Sequence, residues 1–250
     1  MKNIVWFSCG ASSAVMGAIV CKQIPDCNIV YCRVEDEHKD NLRFLADVEK
    51  WIGKDIEIIK SKKYLSVDDV IEKDKYFRSP NGAPCTRHLK VEVRLDYADV
   101  NDSHYWGFTV EEKSRIEKWD LRNPKIINYY PLQKYNINKD MCLGIIDKAG
   151  IELPEMYKQG FEHNNCIGCV KSASPKYWNM IRKYYPEVFW KRNEQSKKLK
   201  FKPIKKTINK ELIYLFLDEL DENDFTETDV DISCDIGCES VYADFKFNKL

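Results

Sequence analysis

Ile4-Val5-Trp6-Phe7-Ser8-Cys9-Gly10-Ala11-Ser12-Ser13-Ala14-Val15-Met16 has the order of a buried strand, a loop of small residues and the start of a helix. Ile4 to Phe7 is a short apolar run, as expected of a parallel strand covered on both faces. Gly10 allows a tight turn, and Ser12 or Ser13 can cap the helix that follows. Hydroxyls and backbone N–H groups then gather at the positive end of a helix dipole, which is where a phosphate binds.

Working outward, Ala14 to Gln23 reads as a helix and Asn28 to Arg33 as a second strand. That strand ends in Val34-Glu35-Asp36-Glu37-His38, an acidic cluster at a carboxyl end, the position at which open α/β sheets bind ligands. Asn41 to Trp51 carries Leu42, Leu45, Val48 and Trp51 at helical spacing, Ile56 to Ile59 is a third strand, and Val67 to Lys75 is a helix. Ser79 to Pro84 is rich in helix breakers and delivers Cys85 to Lys90 into a helix. Tyr105 to Thr109 reads as a fourth strand. Further helices are expected over Asn138 to Ala149 (capped by Asn138), Tyr177 to Tyr184 and Val188 to Lys198.

The 250 residues suffice for one large α/β domain or a domain with an appendage, and a formal net charge of zero gives no global field demanding nucleic acid. No run of eighteen apolar residues occurs, so no transmembrane helix is expected. Lys2 precedes an apolar stretch, but Ser8, Gly10, Ser12 and Ser13 interrupt it, so a signal peptide is disfavoured and a cytoplasmic protein is expected. Ten unevenly spaced cysteines in a chain of this size point to metal, redox or catalytic use of some of them. Cys21, Cys27, Cys32 and Cys142 lie in apolar settings and read as core residues. Ser196 to Lys210 holds seven lysines and no acid, and Asp218 to Asp231 eight acids and no base. The two blocks can pair, remain solvated faces, or leave the lysines to bind RNA.

Several motifs, in order, resemble the phosphoadenosine phosphosulfate (PAPS) reductase family of the adenine nucleotide alpha-hydrolase-like, or PP-loop, superfamily. Ser8-Cys9-Gly10-Ala11-Ser12-Ser13 is similar to the pyrophosphate loop Ser-Gly-Gly-Lys-Asp-Ser, matching at Ser8, Gly10 and Ser13 and lacking its Lys and Asp. Gly107, Glu112 and Ser114 suit the family's Gly-x-Arg-x-x-Glu/Gln-Ser-x-x-Arg segment, Arg115 is near its expected basic position, and Thr109 stands in place of the first Arg. Tyr130-Pro131-Leu132 resembles its Asn-Pro-Leu turn, and Pro154 to Phe161 the segment preceding its cysteine motif. The resemblance implies a doubly wound parallel sheet over residues 1–190 with a C-terminal appendage over 191–250. It implies an adenine nucleotide (ATP, adenylyl sulfate or PAPS) held by Ser8, Gly10, Ser12, Ser13, Glu35, His38, Arg87, Lys90, Thr109 and Arg115.

Cys166-x-x-Cys169 suits zinc, a redox pair or an iron–sulfur site. Adenylyl-sulfate reductases carry a Cys-Cys pair, about eighty residues, then Cys-x-x-Cys, and bind a four-iron, four-sulfur cluster; here Cys85 stands eighty-one residues before Cys166, with Thr86 in the pair's second position. The resemblance thus implies Cys85, Cys166 and Cys169 as ligands of a 4Fe-4S cluster, with zinc as the alternative. Cys234 and Cys238, where the family's C-terminal nucleophilic cysteine falls, are candidate catalytic thiols or further ligands, although Asp231, Asp235 and Glu239 would raise their pKa. The expected activity is reduction of an adenylyl sulfate with a thiol reductant, or ATP-dependent thiolation of an RNA or small-molecule acceptor. The competing expectations are a nucleotide- or metal-binding module without turnover and an RNA-binding partner protein.

Overall fold

Alternation along the first strand, β1 (Asn3–Phe7), sends Val5 and Phe7 into one apolar layer and Ile4 and Trp6 into another, and both layers are buried. The computed structural model describes residues 1–79, 82–208 and 210–227. With β2 (Asn28–Cys32), β3 (Ile56–Ile59), β4 (Ser103–Tyr105) and β5 (Ile127–Tyr129), β1 forms a wholly parallel sheet of order β3-β2-β1-β4-β5. Val5 is in register with Ile29 on one side and with Tyr105 on the other. The chain runs outward from β1 to β3 and then crosses back to β4. β1 and β4 therefore flank the switch point, where such sheets open a crevice at their carboxyl ends.

Helices α1 (Ala11–Gln23), α2 (Asn41–Ile52) and, later in the chain, the Lys139–Lys148 helix cover the Val5 face through Met16, Phe44 and Ile146. The opposite face is closed by Val91, Ile116 and Trp119. Between them come α3 (Val67–Asp74) and a short helix α4 (Pro84–Thr86), which passes through a π-helical turn, Arg87–Val91, into α5 (Glu92–Tyr97). The wide turn closes with the Glu92 N–H on the Arg87 carbonyl. It lets Leu89 face one apolar cluster and Val91 another, with Lys90 buried between them.

The remaining helices are α6 (Lys113–Arg122), α7 (Pro131–Lys134), α8 (Lys139–Lys148, as above), α9 (Glu155–Lys158), α10 (Pro175–Tyr184) and α11 (Pro186–Lys198). An antiparallel hairpin, β6 (Ile204–Ile208) with β7 (Glu211–Leu215), follows. A separate core joins Met156, Trp178, Phe189, Ile204 and Leu217, so residues on both sides of position 190 share it.

Three local expectations are corrected. The fourth strand stops at Tyr105 rather than running to Thr109, because Gly107 lies against the first turn of α1: a Cβ there would sit 2.9 Å from Ser13 Cα. α1 begins at Ala11, with Gly10 as its N-cap and no side-chain cap, so neither Ser12 nor Ser13 caps it. The left-handed residue of the loop is Cys9 (φ 57°), while Gly10 is extended (φ −103°). Asn138 does cap α8, accepting the Met141 N–H at 2.7 Å. The two charged blocks pair: Lys197 with Asp218, Lys202 with Glu219 (3.5 Å) and Lys206 with Asp224.

Candidate active site

A cavity of about 460 Å³ opens at the carboxyl ends of β1 and β4. Ser8, Gly10, Ser12 and Ser13 form its floor, Gly107, Phe108 and Thr109 one wall, and His163, Asn164 and Asn165 another. The loop is held from within. Ser13 Oγ accepts the Ser8 N–H (3.0 Å) and donates to the Gly10 carbonyl (2.9 Å). Asn164 Nδ2 donates to the Cys9 carbonyl and to Asn41 Oδ1, both at 2.8 Å, which fixes the left-handed residue. The first turn of α1 contains no acidic residue. An uncapped helix start turns unpaired N–H donors and the positive end of the helix dipole toward the cavity.

Cations converge on the same cavity. Lys90 is drawn in by Glu37 (2.8 Å), whose other oxygen accepts the Tyr31 hydroxyl, and all three side chains are buried. Arg94 lies over the Trp106 ring (5.4 Å to the centroid) and Arg115 over Phe108 (4.6 Å). Arg115 also pairs with Glu112 at 2.6 Å, and Lys139 lines the far side, its ammonium donating to the Glu162 carbonyl. Thr109 is engaged in a capping box with Glu112. The cavity thus holds four cationic side chains against Glu111 and Glu112.

Of the expected nucleotide ligands, Ser8, Gly10, Ser12, Ser13, Lys90, Thr109 and Arg115 line this cavity. Glu35 and His38 instead line a second one of about 440 Å³, between the end of β2 and α11, on the far side of the Lys90–Glu37 pair. His38 Nδ1 accepts the Asp40 N–H there, and its ring meets Tyr185 edge-on. Arg87 lies on neither cavity wall and pairs with Glu92 at 3.1 Å. Arg94 and Lys139 were not anticipated. Arg94 lies on α5, one turn past the Cys85 to Lys90 stretch, and Lys139 is the first residue of α8.

Cys166 and Cys169 are buried on a loop with three restraints. The Tyr177 hydroxyl accepts the Cys169 N–H (2.7 Å) and donates to the Cys166 carbonyl (3.2 Å). Arg192 Nε donates to the Gly168 carbonyl (3.1 Å), and the Ile167 N–H donates to the Asp36 carbonyl (2.9 Å). Gly168 is left-handed, and a Cβ on it would strike Val188 at 2.5 Å. Cys85 and Cys166 border one apolar cluster and Cys169 another. Among the described residues, no three Cys, His, Asp or Glu side chains gather as a metal-binding group. Cys234 and Cys238 lie outside the described residues. Cys32 lines the first cavity, but burial pushes its thiol up to about 11, and it donates to the Leu89 carbonyl (3.2 Å). It is therefore a neutral wall residue at physiological pH.

Parallel strands, a switch-point crevice and a serine- and glycine-bearing loop at an uncapped helix define a nucleotide-binding α/β protein of the PP-loop type. The comparisons with known proteins agree. Residues 2–175 match the family model for the phosphoadenosine phosphosulfate reductase domain, and the chain belongs to that family. The fold is similar to that of the PAPS reductase of Candida auris, solved as a phosphate complex: TM-score 0.50, 14% identity, covering 66% of this chain and 82% of that one. An uncharacterized protein of Methanocaldococcus jannaschii is 26% identical over 190 residues, 73% of this chain. The match spans 44% of that relative's length. No helix among the described residues is long and apolar enough to cross a membrane.

Proposed function

We propose that this chain binds an adenine nucleotide carrying a phosphate or phosphosulfate and performs sulfur chemistry on it with cysteine thiols. The observation that carries the reading is the cavity where the uncapped start of α1 meets Lys90, Arg94, Arg115 and Lys139. These cations stand in for the Lys absent from the loop. Backbone N–H groups at Gly10 to Ser13 would take the anion's oxygens, and the cationic ring would balance its charge. Glu35 and His38, in the adjoining cavity, suit the nucleoside end.

Cys85, Cys166 and Cys169 are the thiols we assign to sulfur chemistry, and Cys234 and Cys238 remain candidates for the attacking thiol. An iron–sulfur cluster, or zinc in the alternative, would take its protein ligands from the first three; the chemistry proposed passes through no metal. A thiol attack on the sulfur of an adenylyl sulfate would displace the nucleotide phosphate and leave an S-sulfocysteine, from which a second thiol would expel sulfite and form a disulfide that a thiol reductant reopens, whereas adenylation of an acceptor by ATP would release pyrophosphate.

Calorimetric titration with ATP, adenylyl sulfate and PAPS tests the binding, followed by assay for sulfite and for pyrophosphate. Saturable binding, weakened at least tenfold in Arg115→Ala, is the expected result; a chain that binds none of the three overturns the reading. Anaerobic purification with iron and zinc determination decides the cofactor. A second reading, a nucleotide-binding module without turnover, draws on the protonated Cys32 in the cavity wall and on the loop's missing Lys and Asp. It expects binding with neither product.

A further inference from the structure

Cys21, in the last turn of α1, and Cys27, immediately before β2, bring their sulfurs to 2.9 Å. Apolar surroundings at both positions predict core residues, and Cys27 is buried, but the structure makes the two a pair. The intervening turn is tight: the Ile24 N–H bonds to the Val20 carbonyl and the Cys27 N–H to the Ile24 carbonyl. Lys54, two residues past the end of α2, donates to the Pro25 carbonyl at 2.6 Å and places its ammonium beside the turn. A cationic neighbour and a thiol donor are the two features that favour a thiolate. The Cys21 S–H and the nearby Lys54 bring Cys27 down to about 7, against burial and Asp26, which act the other way.

We propose that Cys21 and Cys27 form a thiol–disulfide exchange site that takes small-molecule disulfides of the glutathione class. The sulfurs need to close by only about 1 Å to reach an S–S length of about 2.0 Å. Cys21 is the more accessible sulfur, so it acquires the mixed disulfide: the adjoining Cys27 thiolate takes the Cys21 proton as the Cys21 sulfur attacks one sulfur of the oxidant, and the first small thiolate leaves with that proton. Cys27 then attacks the Cys21 sulfur and expels the second. The two cysteines are oxidised by two electrons, the oxidant is reduced to two thiols, and the two cysteine protons pass to the departing thiolates. The bond staples the carboxyl end of α1 to β2, while the other end of α1 forms the floor of the first cavity. Oxidation therefore fixes the anion-binding helix at its rear without touching the cavity. The staple requires neither the nucleotide nor the sulfur chemistry proposed above, and it stands or falls separately.

The full chain is equilibrated with graded ratios of reduced to oxidised glutathione, quenched in acid, alkylated and mapped by peptide mass spectrometry. The expected product at oxidising ratios is a Cys21–Cys27 cross-linked peptide, two hydrogens lighter than the reduced pair, with Tm raised by about 5 °C. Cys27→Ser should trap a stable glutathione adduct on Cys21, and Cys21→Ser should leave Cys27 unmodified. Full alkylation of both residues across the series, or a cross-link of either one to a different cysteine, overturns the proposal. The mapping of the unsubstituted chain decides the matter even where a variant fails to fold.

Discussion

Gly107 and Asn164 set the phosphate-type loop from outside it. The absence of a side chain at Gly107 lets the segment after β4 rest on the backbone of Ser12 and Ser13. Because the obstructing atoms are backbone, Gly107→Ala cannot be absorbed by a rotamer change, and we expect a loss of about 2 kcal/mol in urea unfolding together with weaker nucleotide binding. Asn164 restrains Cys9, whose left-handed backbone is disfavoured for any residue with a Cβ by about 1–2 kcal/mol. Asn164→Ala should cost about 1–3 kcal/mol, since it strips a buried carbonyl of its donor, and should raise amide exchange across residues 8–13. Hydrogen exchange read by mass spectrometry checks the second effect.

At the scale of elements, the first strand, loop and helix were legible because each carries its own local signal: an uninterrupted apolar run, small residues, then helical spacing. β5 was not, since Ile127-Asn128-Tyr129 is three residues long and half exposed, with neither the length nor the alternation that marks a strand. The cavity floor was readable from Ser8, Gly10 and Ser13, but Arg94 and Lys139 enter through tertiary packing and a widened helical turn. The Cys-x-x-Cys loop shows the same division. Its cysteines are plain in the sequence, whereas Tyr177, whose hydroxyl spans it, belongs to a helix that reads only as amphipathic. Tyr177→Phe should remove partners from the Cys169 N–H and the Cys166 carbonyl at once, at a cost of about 1–3 kcal/mol. Faster alkylation of Cys166 and Cys169 in the folded protein would report the loosened loop.

Across the whole molecule, Arg192 gathers distant segments: Asp68 of α3, Asp36 after β2, and the Gly168 carbonyl. Burial alone would raise Asp68, but the charge of Arg192 and hydrogen bonds from Lys191, Gln195 and Arg192 hold it at about 2. A carboxyl lowered on folding contributes stability above its unfolded pKa of about 3.8, and that contribution fades as pH falls toward 2. It amounts to on the order of 2 kcal/mol. Asp36 opposes it in part, because burial raises that carboxyl and protonation relieves it. Asp68→Asn should therefore lower Tm at pH 7 and flatten its decline between pH 4 and 2, as followed by circular dichroism. The position of Arg192 also bears on how the protein can be divided. A fragment ending at residue 190 would cut α11 in its first half and leave Asp36 and Asp68 without the guanidinium between them. Expressed alone, that piece should melt early and be digested by trypsin far faster than a version extended through Lys198.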